Sequence, residues 1–128
     1  MARRELSVLL DTNILIDYSR NNPVAVSFVE SLPRQPEISV VTLAELLAGA
    51  KNRKEETQIG SLGRWLKLRD VNAEIAMRAG EFLKHFRNSH GTDDFDALIG
   101  ATAEHHGLKL ATLNVKHFPM FPKLKPPY

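Results

Sequence analysis

The sequence predicts an α/β fold of three layers, α/β/α, in which helices cover both faces of a central, mostly parallel sheet. Three observations support this fold class. Short apolar runs, typical of buried strands, alternate with helical segments along the chain. The length of 128 residues matches one domain, so we expect a single domain over residues 1–128. A composition of 43% hydrophobic and 25% charged residues is typical of globular proteins and excludes a disordered or collagen-like chain.

Four short segments are the predicted strands. Residues 5–10 are an apolar run rich in Val and Leu, and Asp11 ends it. Residues 38–41 form the second predicted strand and residues 69–71 the third, while residues 109–113 form the fourth. We find no internal repeat, so these strands are expected to belong to one sheet.

Helical segments fill the intervals between the predicted strands. Residues 12–13 have the polar side chains that start helices, and Pro23 suits the first turn of a second helix. Gly60 and Gly63 are predicted to interrupt a polar, charged helix, and Gly107 is predicted to end the last helix. After the helix that starts at residue 12, the predicted helices cover residues 24–32, 43–51, 52–68, 73–88 and 94–106, and residues 114–128 form a proline-rich tail with little regular structure.

Composition also limits the class of protein. The chain has no cysteine, which excludes disulfide bonds, thiolate zinc sites and a thiol nucleophile. The apolar run at residues 6–10 is too short for a signal peptide or a membrane span, so we expect a cytoplasmic protein without membrane contact. Lys and Arg number 17 against 15 Asp and Glu, and the basic residues concentrate between Lys51 and Arg87 and after Lys109. This charge distribution fits either a polyanionic partner or an ordinary solvated surface.

Acidic and amide side chains follow the predicted strands. Asp11 ends the first strand, Glu45 lies one turn into the helix after the second, and Asn114 follows the last. Asp96, with Asp93 nearby, belongs to the first turn of the last predicted helix. Because ligands of parallel sheets bind beyond the carboxyl ends of the strands, these groups are placed where a site is expected. Crowded carboxylates need a cation, and oxygen ligands suit Mg²⁺ or Mn²⁺, so the spacing predicts a metal site suited to phosphodiester hydrolysis.

Each acid also has a structural explanation that the sequence leaves open. Thr42 and Glu45 have the spacing of a capping box, in which Glu45 accepts from the Thr42 backbone. Asp93 and Asp96 have the positions of an N-cap and a first-turn acid. Asp11 has no such structural task at the end of an apolar strand. Two further acids, Asp17 and Asp70, are predicted to be ordinary surface residues.

Four blocks of sequence carry a family resemblance. They are residues 10–17 (LDTNILID), 41–46 (VTLAEL), 96–103 (DALIGATA) and 111–119 (ATLNVKHFP). Together, and in this order, they resemble the PIN domain proteins, specifically the VapC-type toxins of bacterial and archaeal toxin–antitoxin pairs. Each block alone is weak, but four blocks that reach from one end of the chain to the other are a specific signal.

The resemblance implies a PIN domain and a metal-dependent endoribonuclease that is toxic until an antitoxin neutralises it. It places the three acids of the family on Asp11, Glu45 and Asp96. Asp11 and Asp96 would be the main Mg²⁺ ligands, Glu45 would bind the metal directly or through water, and Mn²⁺ is the alternative cation. No organic cofactor is implied. The implied partners are an RNA substrate, a cognate antitoxin protein and a second copy of the chain, giving a homodimer and a toxin–antitoxin hetero-oligomer.

Other side chains are expected near the implied site. Asn114 takes the fourth polar position of the family, and its amide cannot act as a base. Thr12 and Thr112 are expected to hydrogen-bond ligand oxygens, and Asp93 to add negative charge. His117 is the histidine nearest the site in sequence, at a place where the family often has an acid. Its contact with substrate is left open.

Two other functions stay open from the sequence. An inactive PIN scaffold that binds RNA or a partner without cutting it is compatible with Asn114 and His117. A receiver-like signalling domain that binds Mg²⁺ would need adjacent acids after the first strand and a phosphoacceptor Asp at the end of a middle strand. The resemblance implies that residues 24–68 hold the dimer and antitoxin surface, and a core position for Trp65 stays open. The apolar side chains of this stretch exceed what one core needs on one side; they are Leu43, Leu46, Leu47, Leu62, Trp65 and Leu66.

Overall fold

A computed structural model of the protein describes residues 6–128. None of the helices in that range is long and apolar enough to cross a membrane. The strands are β1 (Val8–Leu10), β2 (Glu37–Ser39), β3 (Lys67–Arg69) and β4 (Lys109–Ala111). The helices are α1 (Thr12–Ser19), α2 (Pro23–Glu30), α3 (Val40–Ala48), α4 (Arg53–Trp65), α5 (Ala73–His90) and α6 (Asp94–His106), followed by a 3-10 turn at Val115–His117.

The four strands form one parallel sheet with the order β3-β2-β1-β4. Leu9 of β1 pairs with Glu37 of β2 on one side and with Leu110 of β4 on the other. The prediction of an α/β fold with a central sheet is therefore confirmed, and the sheet is parallel throughout the described residues. Since the strands run in one direction, all of their carboxyl ends lie at a single edge, which is where the acids follow them.

The two faces of the sheet pack against different helices because side chains alternate along each strand. Val8 and Leu10 belong to a core cluster with apolar side chains of α1, α2, α3 and α4. Leu9 and Leu110 face the other way and pack against α6 and the buried Phe118. Helix α5 covers the outside of α6 through a third cluster. The result is the predicted three-layer arrangement.

The strand boundaries differ from the predicted ones. Residue 5 lies outside the described residues, and β1 begins at Val8. Residues 40–41 are helical instead of extended, because the Ser39 side chain caps α3 by accepting a hydrogen bond from the Val41 N–H at 3.1 Å. The third strand was predicted at 69–71 and is wrong by two residues, since pairing of β2 with β3 matches Ser39 to Arg69. The fourth strand ends at Ala111, two residues early.

The helices agree in number and order but not in all of their bounds. The helix predicted at 43–51 is α3 at Val40–Ala48, and the helix predicted at 52–68 ends at Trp65. Helix α4 runs unbroken through Gly60 and Gly63, so the predicted interruption is wrong. Each glycine costs a helix about 1 kcal/mol relative to alanine, which packing of Ile59 in the core offsets. Helix α5 continues to His90 and ends where Gly91 adopts a left-handed conformation with φ 68°. Helix α6 has the predicted bounds, and its C-cap Gly107 is also left-handed.

Candidate active site

Asp11 lies at the carboxyl end of β1, at the centre of the sheet edge. Its side chain is only 4% exposed. One carboxylate oxygen accepts from the Thr12 N–H at 2.8 Å, so Asp11 is the N-cap of α1 and the expectation that it has no structural task is wrong. The other accepts from the Thr112 hydroxyl at 2.7 Å and from the Asn13 side-chain amide at 3.4 Å. The carboxylate is thus buried among donors that carry no charge.

Glu45 reaches the same edge from α3. Its carboxylate accepts a hydrogen bond of 2.6 Å from the Thr12 hydroxyl, which also lies 3.2 Å from the Thr42 hydroxyl. The capping-box explanation for Glu45 is wrong, because Ser39 is the N-cap of α3 and Thr42 lies inside the helix. Thr12 therefore links the residue after β1 to the acid on α3.

Asp96 occupies the first turn of α6. The predicted cap is confirmed as a full capping box: the Asp96 N–H donates to Asp93 at 2.8 Å, and the Asp93 N–H donates back to Asp96 at 3.0 Å. The same Asp96 oxygen lies 3.2 Å from Nδ1 of His117. A structural role does not exclude a functional one, since Asp96 is buried and lies at the positive end of the helix dipole.

The pKa values of the acids at this edge are raised mainly by burial, and the negative charges of neighbouring acids add to the effect. Burial is the main cause that raises the pKa of Asp11 and Glu45, and hydrogen bonds from Thr112 and Thr12 only partly counteract it. Burial also raises the pKa of Asp96 to about 6, with the negative charge of Asp93 adding to the effect. A site whose carboxylates resist ionisation in this way is one that a cation would stabilise.

The donor atoms fit a hard divalent cation, since they are carboxylate, hydroxyl and amide oxygens. Their present geometry is not a finished coordination shell. Among residues 6–128, no three His, Asp or Glu side chains converge as metal ligands. Asp11 and Glu45 are instead turned towards the hydroxyl groups of Thr112 and Thr12. Binding of a cation would therefore require these side chains to exchange hydroxyl partners for the ion.

The structure also places the other predicted residues. Thr12 and Thr112 hold the acids, and Asp93 lies close enough to influence the pKa of Asp11, Glu45 and Asp96. Asn114 lies on the surface directly after this edge, and its N–H donates to the Thr112 hydroxyl at 3.0 Å. Its side chain makes no capping bond to the 3-10 turn that follows.

Two residues near the acids were not singled out from the sequence. Asn13 bridges the ends of two strands, donating towards Asp11 and accepting from the Leu113 N–H at 3.3 Å. Thr42 is fully buried beneath Thr12 and was interpreted only as a helix cap. The Asn13 contact with Leu113 and the Thr42 contact with Thr12 join residues distant in sequence, so no local pattern reveals them.

Two other predictions are corrected by the structure. Asp17 is not an ordinary surface acid, because the Tyr128 hydroxyl donates to it at 2.7 Å. Leu46 and Leu66 are buried in the core, whereas Leu47 and Trp65 are each 44% exposed. The six apolar side chains of residues 24–68 are therefore divided between the core and the surface.

The receiver-like alternative has no structural support. It requires a phosphoacceptor at the end of a middle strand, but Asp70 follows β3, which is at the side of the sheet. Asp70 is also exposed, and in the sheet β2 lies between β3, which Asp70 follows, and β1.

Comparisons with known proteins agree with this geometry. The PIN domain family profile matches residues 8–121. Ribonuclease VapC10 of Mycobacterium tuberculosis is 38% identical over 124 residues, covering 94% of this chain and 92% of that protein. Ribonuclease VapC19 of the same organism is 39% identical over 127 residues, with coverage of 94% and 98%. A chain in a toxin–antitoxin complex from Klebsiella pneumoniae superposes with a TM-score of 0.81 at 34% identity, covering 95% of this chain and 98% of that one. With most of its length matched by the family profile and its acids at the carboxyl edge of a parallel sheet, the chain belongs to the PIN domain family, within its VapC branch.

Proposed function

We propose that this protein is a divalent-metal-dependent endoribonuclease and the toxin of a toxin–antitoxin pair. The observation that carries the proposal is the group of acids at one edge of the sheet, where Asp11 and Asp96 are buried and Glu45 is half-buried. Relatives at 38% and 39% identity are named ribonucleases, which supports RNA as the substrate class. Mg²⁺ is the proposed cation, with Mn²⁺ as its substitute.

In the proposed site, Asp11 and Asp96 hold the cation and Glu45 binds it directly or through water. When bound, a divalent cation polarises the phosphodiester and lowers the pKa of a water molecule. The chain itself orients the ligands: the Thr112 hydroxyl and the Thr12 backbone hold Asp11. The Thr12 hydroxyl holds Glu45, and the capping box holds Asp96.

A groove beside Glu45 offers two cations to the RNA backbone, and Glu45 and Glu55 line it as well. Glu45 lines one end of a cavity of about 330 Å³ between α1, α3 and α4, whose wall includes Arg20 and Lys51. Both cations are exposed. Contacts of this kind bind phosphates without reading base sequence, so they would add affinity and position the strand.

The test is cleavage of labelled single-stranded RNA by the purified protein with Mg²⁺, Mn²⁺ or EDTA. We expect cutting with either cation and none with EDTA. Asp11→Asn and Asp96→Asn each remove one ligand charge and are expected to reduce the cleavage rate about a hundredfold or more. Asp70→Asn, an exposed acid after β3, is the matched control and should cut like the parent protein.

Other results would overturn parts of this proposal. Absence of cutting by a folded protein with several RNAs would favour the inactive scaffold that binds RNA or a partner. Cutting that persists in both Asp variants would place the reaction elsewhere or assign it to a contaminant. Cutting in EDTA would contradict metal dependence while leaving the ribonuclease assignment intact.

We also propose an antitoxin partner that covers the surface beside the acids. The Klebsiella structure is a toxin–antitoxin complex, and this chain matches 98% of the corresponding chain in it. Leu47 on α3 and Trp65 on α4 are exposed apolar side chains, and Trp65 stacks on Tyr18 with ring centroids 6.1 Å apart. Exposed aromatic residues that neighbouring rings hold in place are frequent anchors of interfaces.

Co-expression with the product of the neighbouring reading frame tests the partner. We expect the two chains to copurify and cleavage to be inhibited in the complex. Leu47→Asp should weaken this association, whereas Met77→Asp, at a 72% exposed apolar side chain on α5, should not. Sedimentation of each species would then report the proposed homodimer and hetero-oligomer. Equal loss of binding in both variants would contradict the proposed surface.

A further inference from the structure

A second groove lies beside β4, the strand that pairs with β1 on the side away from β2. It is separate from the acids. It has a volume of about 720 Å³ and follows β4, with α2 on one side and the C-terminal segment 121–127 on the other. Its apolar wall includes Phe28 of α2, Leu32 just after that helix, and Phe121 and Leu124 of the tail. The last residue fastens that tail, since the Tyr128 ring packs on Phe28 and its hydroxyl donates to Asp17.

The floor of this groove is the outer edge of β4. Alternate residues of a parallel strand bond to the same neighbour. The Lys109 N–H donates to Ser7 and the Ala111 carbonyl accepts from Asp11, so both residues bond towards β1. Leu110 between them therefore directs its N–H and C=O away from β1, into the groove it lines. A sheet edge of this kind is where an extended peptide can add a strand.

The C-terminal tail runs beside this edge without pairing with it. No strand is present in residues 112–128, and three of the residues that line the groove, Pro122, Pro126 and Pro127, have no N–H to donate. The tail thus forms a wall of the groove while leaving the edge of β4 without a strand partner in the described part of the chain.

Within residues 6–128, the charged side chains that line the groove are all lysines. Lys109, Lys123 and Lys125 line it and are exposed, and no Asp or Glu of that range is among its lining residues. An apolar floor between lysines fits a peptide that alternates acidic and apolar side chains. A second copy of this chain fits poorly, because pairing of two β4 edges would bring the same three lysines together. A nucleic acid would match the lysines but not the aliphatic floor.

We propose that this groove binds an extended acidic peptide segment, which adds to the sheet beside β4. The backbone of the segment pairs with Leu110, its apolar side chains enter the space between Phe28 and Leu124, and its carboxylates meet the three lysines. The site is separate from the acids at the carboxyl edge, and the inference does not depend on ribonuclease activity.

The test uses a fluorescein-labelled synthetic nonapeptide that alternates glutamate with valine or leucine, titrated into the full chain in metal-free buffer. We expect saturable binding by fluorescence anisotropy. In a ¹⁵N-labelled sample, the Leu110 amide should shift and exchange more slowly with solvent, as a new ladder hydrogen bond requires. A peptide methylated at alternate backbone nitrogens should bind at least about tenfold more weakly, since it cannot form that ladder.

Matched variants separate this site from general attraction between charges. Lys109→Glu with Lys123→Glu reverses two charges at the groove and should weaken binding about tenfold or more. Lys84→Glu with Lys116→Glu changes the net charge equally at exposed positions that do not line the groove, and should bind like the parent. All four lysines are exposed, so each variant is expected to keep the parent melting temperature.

Several outcomes would overturn the proposal. Absence of binding would mean that the lysines and the tail serve only to protect the edge. If the N-methylated peptide binds equally well, or if both lysine pairs weaken binding equally, binding depends on net charge and not on this groove. Displacement by a single-stranded RNA decamer would assign the groove to nucleic acid. Binding that appears only after removal of residues 1–5 would assign the groove to the chain's own N-terminal segment. A change of oligomeric state in Lys109→Glu with Lys123→Glu would assign the groove to a second copy of the chain.

Discussion

Glu37 and Asp11 are both buried carboxylates at the ends of neighbouring strands, yet Glu37 has a charged partner and Asp11 has neutral ones. Glu37 begins β2 and is 3% exposed, and Asp11 follows β1 and is 4% exposed. The guanidinium of Arg69 on β3 contacts Glu37 through both a hydrogen bond and an ion pair. The Asp11 carboxylate instead accepts from Thr12, Asn13 and Thr112, which are neutral donors.

This difference separates a structural carboxylate from one that is available for a ligand. Burying a charge is costly unless a partner of opposite charge compensates for it. Arg69 supplies that compensation for Glu37 within the chain. At Asp11 the cost appears as a raised pKa, with burial as its largest cause. A divalent cation would do for Asp11 what the guanidinium does for Glu37.

The largest expected effect is on catalysis. Asp11→Asn should reduce RNA cleavage about a hundredfold or more, because it removes a proposed metal ligand. Glu37→Gln keeps a hydrogen-bonding group beside Arg69 and should retain the parent rate after correction for the folded fraction. Cleavage rates and melting curves of both variants give the comparison. A similar loss of activity in Glu37→Gln would show that the two carboxylates are not functionally distinct.

Stability, in contrast to cleavage, should depend strongly on the ion pair of Glu37. Arg69→Ala leaves Glu37 buried without its cation and should lower the free energy of unfolding by about 2 to 3 kcal/mol, allowing for the partial exposure of the Arg69 side chain. Arg64→Ala, at an exposed position on α4, should change it by less than about 0.5 kcal/mol. Urea denaturation provides both values.

A second substitution tests the cause of that loss. Adding Glu37→Gln to Arg69→Ala should recover part of the stability, because a neutral amide is less costly to bury than a carboxylate. Further destabilisation by the added substitution would contradict the explanation from an uncompensated charge.

The acid group also predicts how stability depends on pH. The folded-state pKa of Asp96 is raised to about 6 from its ordinary value near 3.8, so the folded protein binds more protons than the unfolded chain between these values. Its contribution therefore favours folding at low pH and is lost as pH rises from about 4 to about 6. We expect this to amount to about 1 to 2 kcal/mol, reduced by solvent screening.

Metal-free urea denaturation between pH 4 and pH 7 measures this contribution. Asp96→Asn cannot titrate at that position and keeps an oxygen that can accept from Asp93. Its stability relative to the parent should therefore rise with pH across the window and stay constant above it. A difference between the two proteins that does not vary with pH would contradict the raised pKa of Asp96.

The sequence predicts the layers of this fold better than the edges of its elements. Apolar runs and helical periodicity identify β1, β4 and α6, because each buries a face that the pattern reveals. The position of β3 is set by pairing with β2, where Ser39 meets Arg69, and no local property of residues 67–71 encodes that register. The start of α3 depends on one side-chain cap at Ser39, which competes with the strand preference of the valines after it.

The sequence predicts the acids of the site better than the side chains that hydrogen-bond to them. Strand ends and the family blocks identify Asp11, Glu45 and Asp96, whose roles as ligands stay predictions. The Thr12 bond to Glu45 joins residues 33 apart in sequence, and the Thr112 bond to Asp11 spans 101. Such contacts exist only once the sheet has formed, so from the local sequence alone a capping box is the better explanation of Glu45.

The smallest expected effect tests the neutral donors that distinguish Asp11 from Glu37. Thr112→Val keeps the shape of the side chain but removes the hydroxyl that donates to Asp11 at 2.7 Å and accepts from the Asn114 N–H. The free energy of unfolding should fall by about 1 kcal/mol, whereas Thr57→Val, at an exposed position on α4, should change it by less than about 0.5 kcal/mol.

Because the Thr112 hydroxyl lowers the pKa of Asp11, its loss should raise that pKa further, which a pH titration of the Asp11 carboxyl carbon by NMR would detect. Thr112→Ser restores a donor and should return both quantities towards the parent values. A Thr112→Val variant with unchanged stability and an unchanged Asp11 pKa would mean that solvent, and not Thr112, compensates for the buried carboxylate.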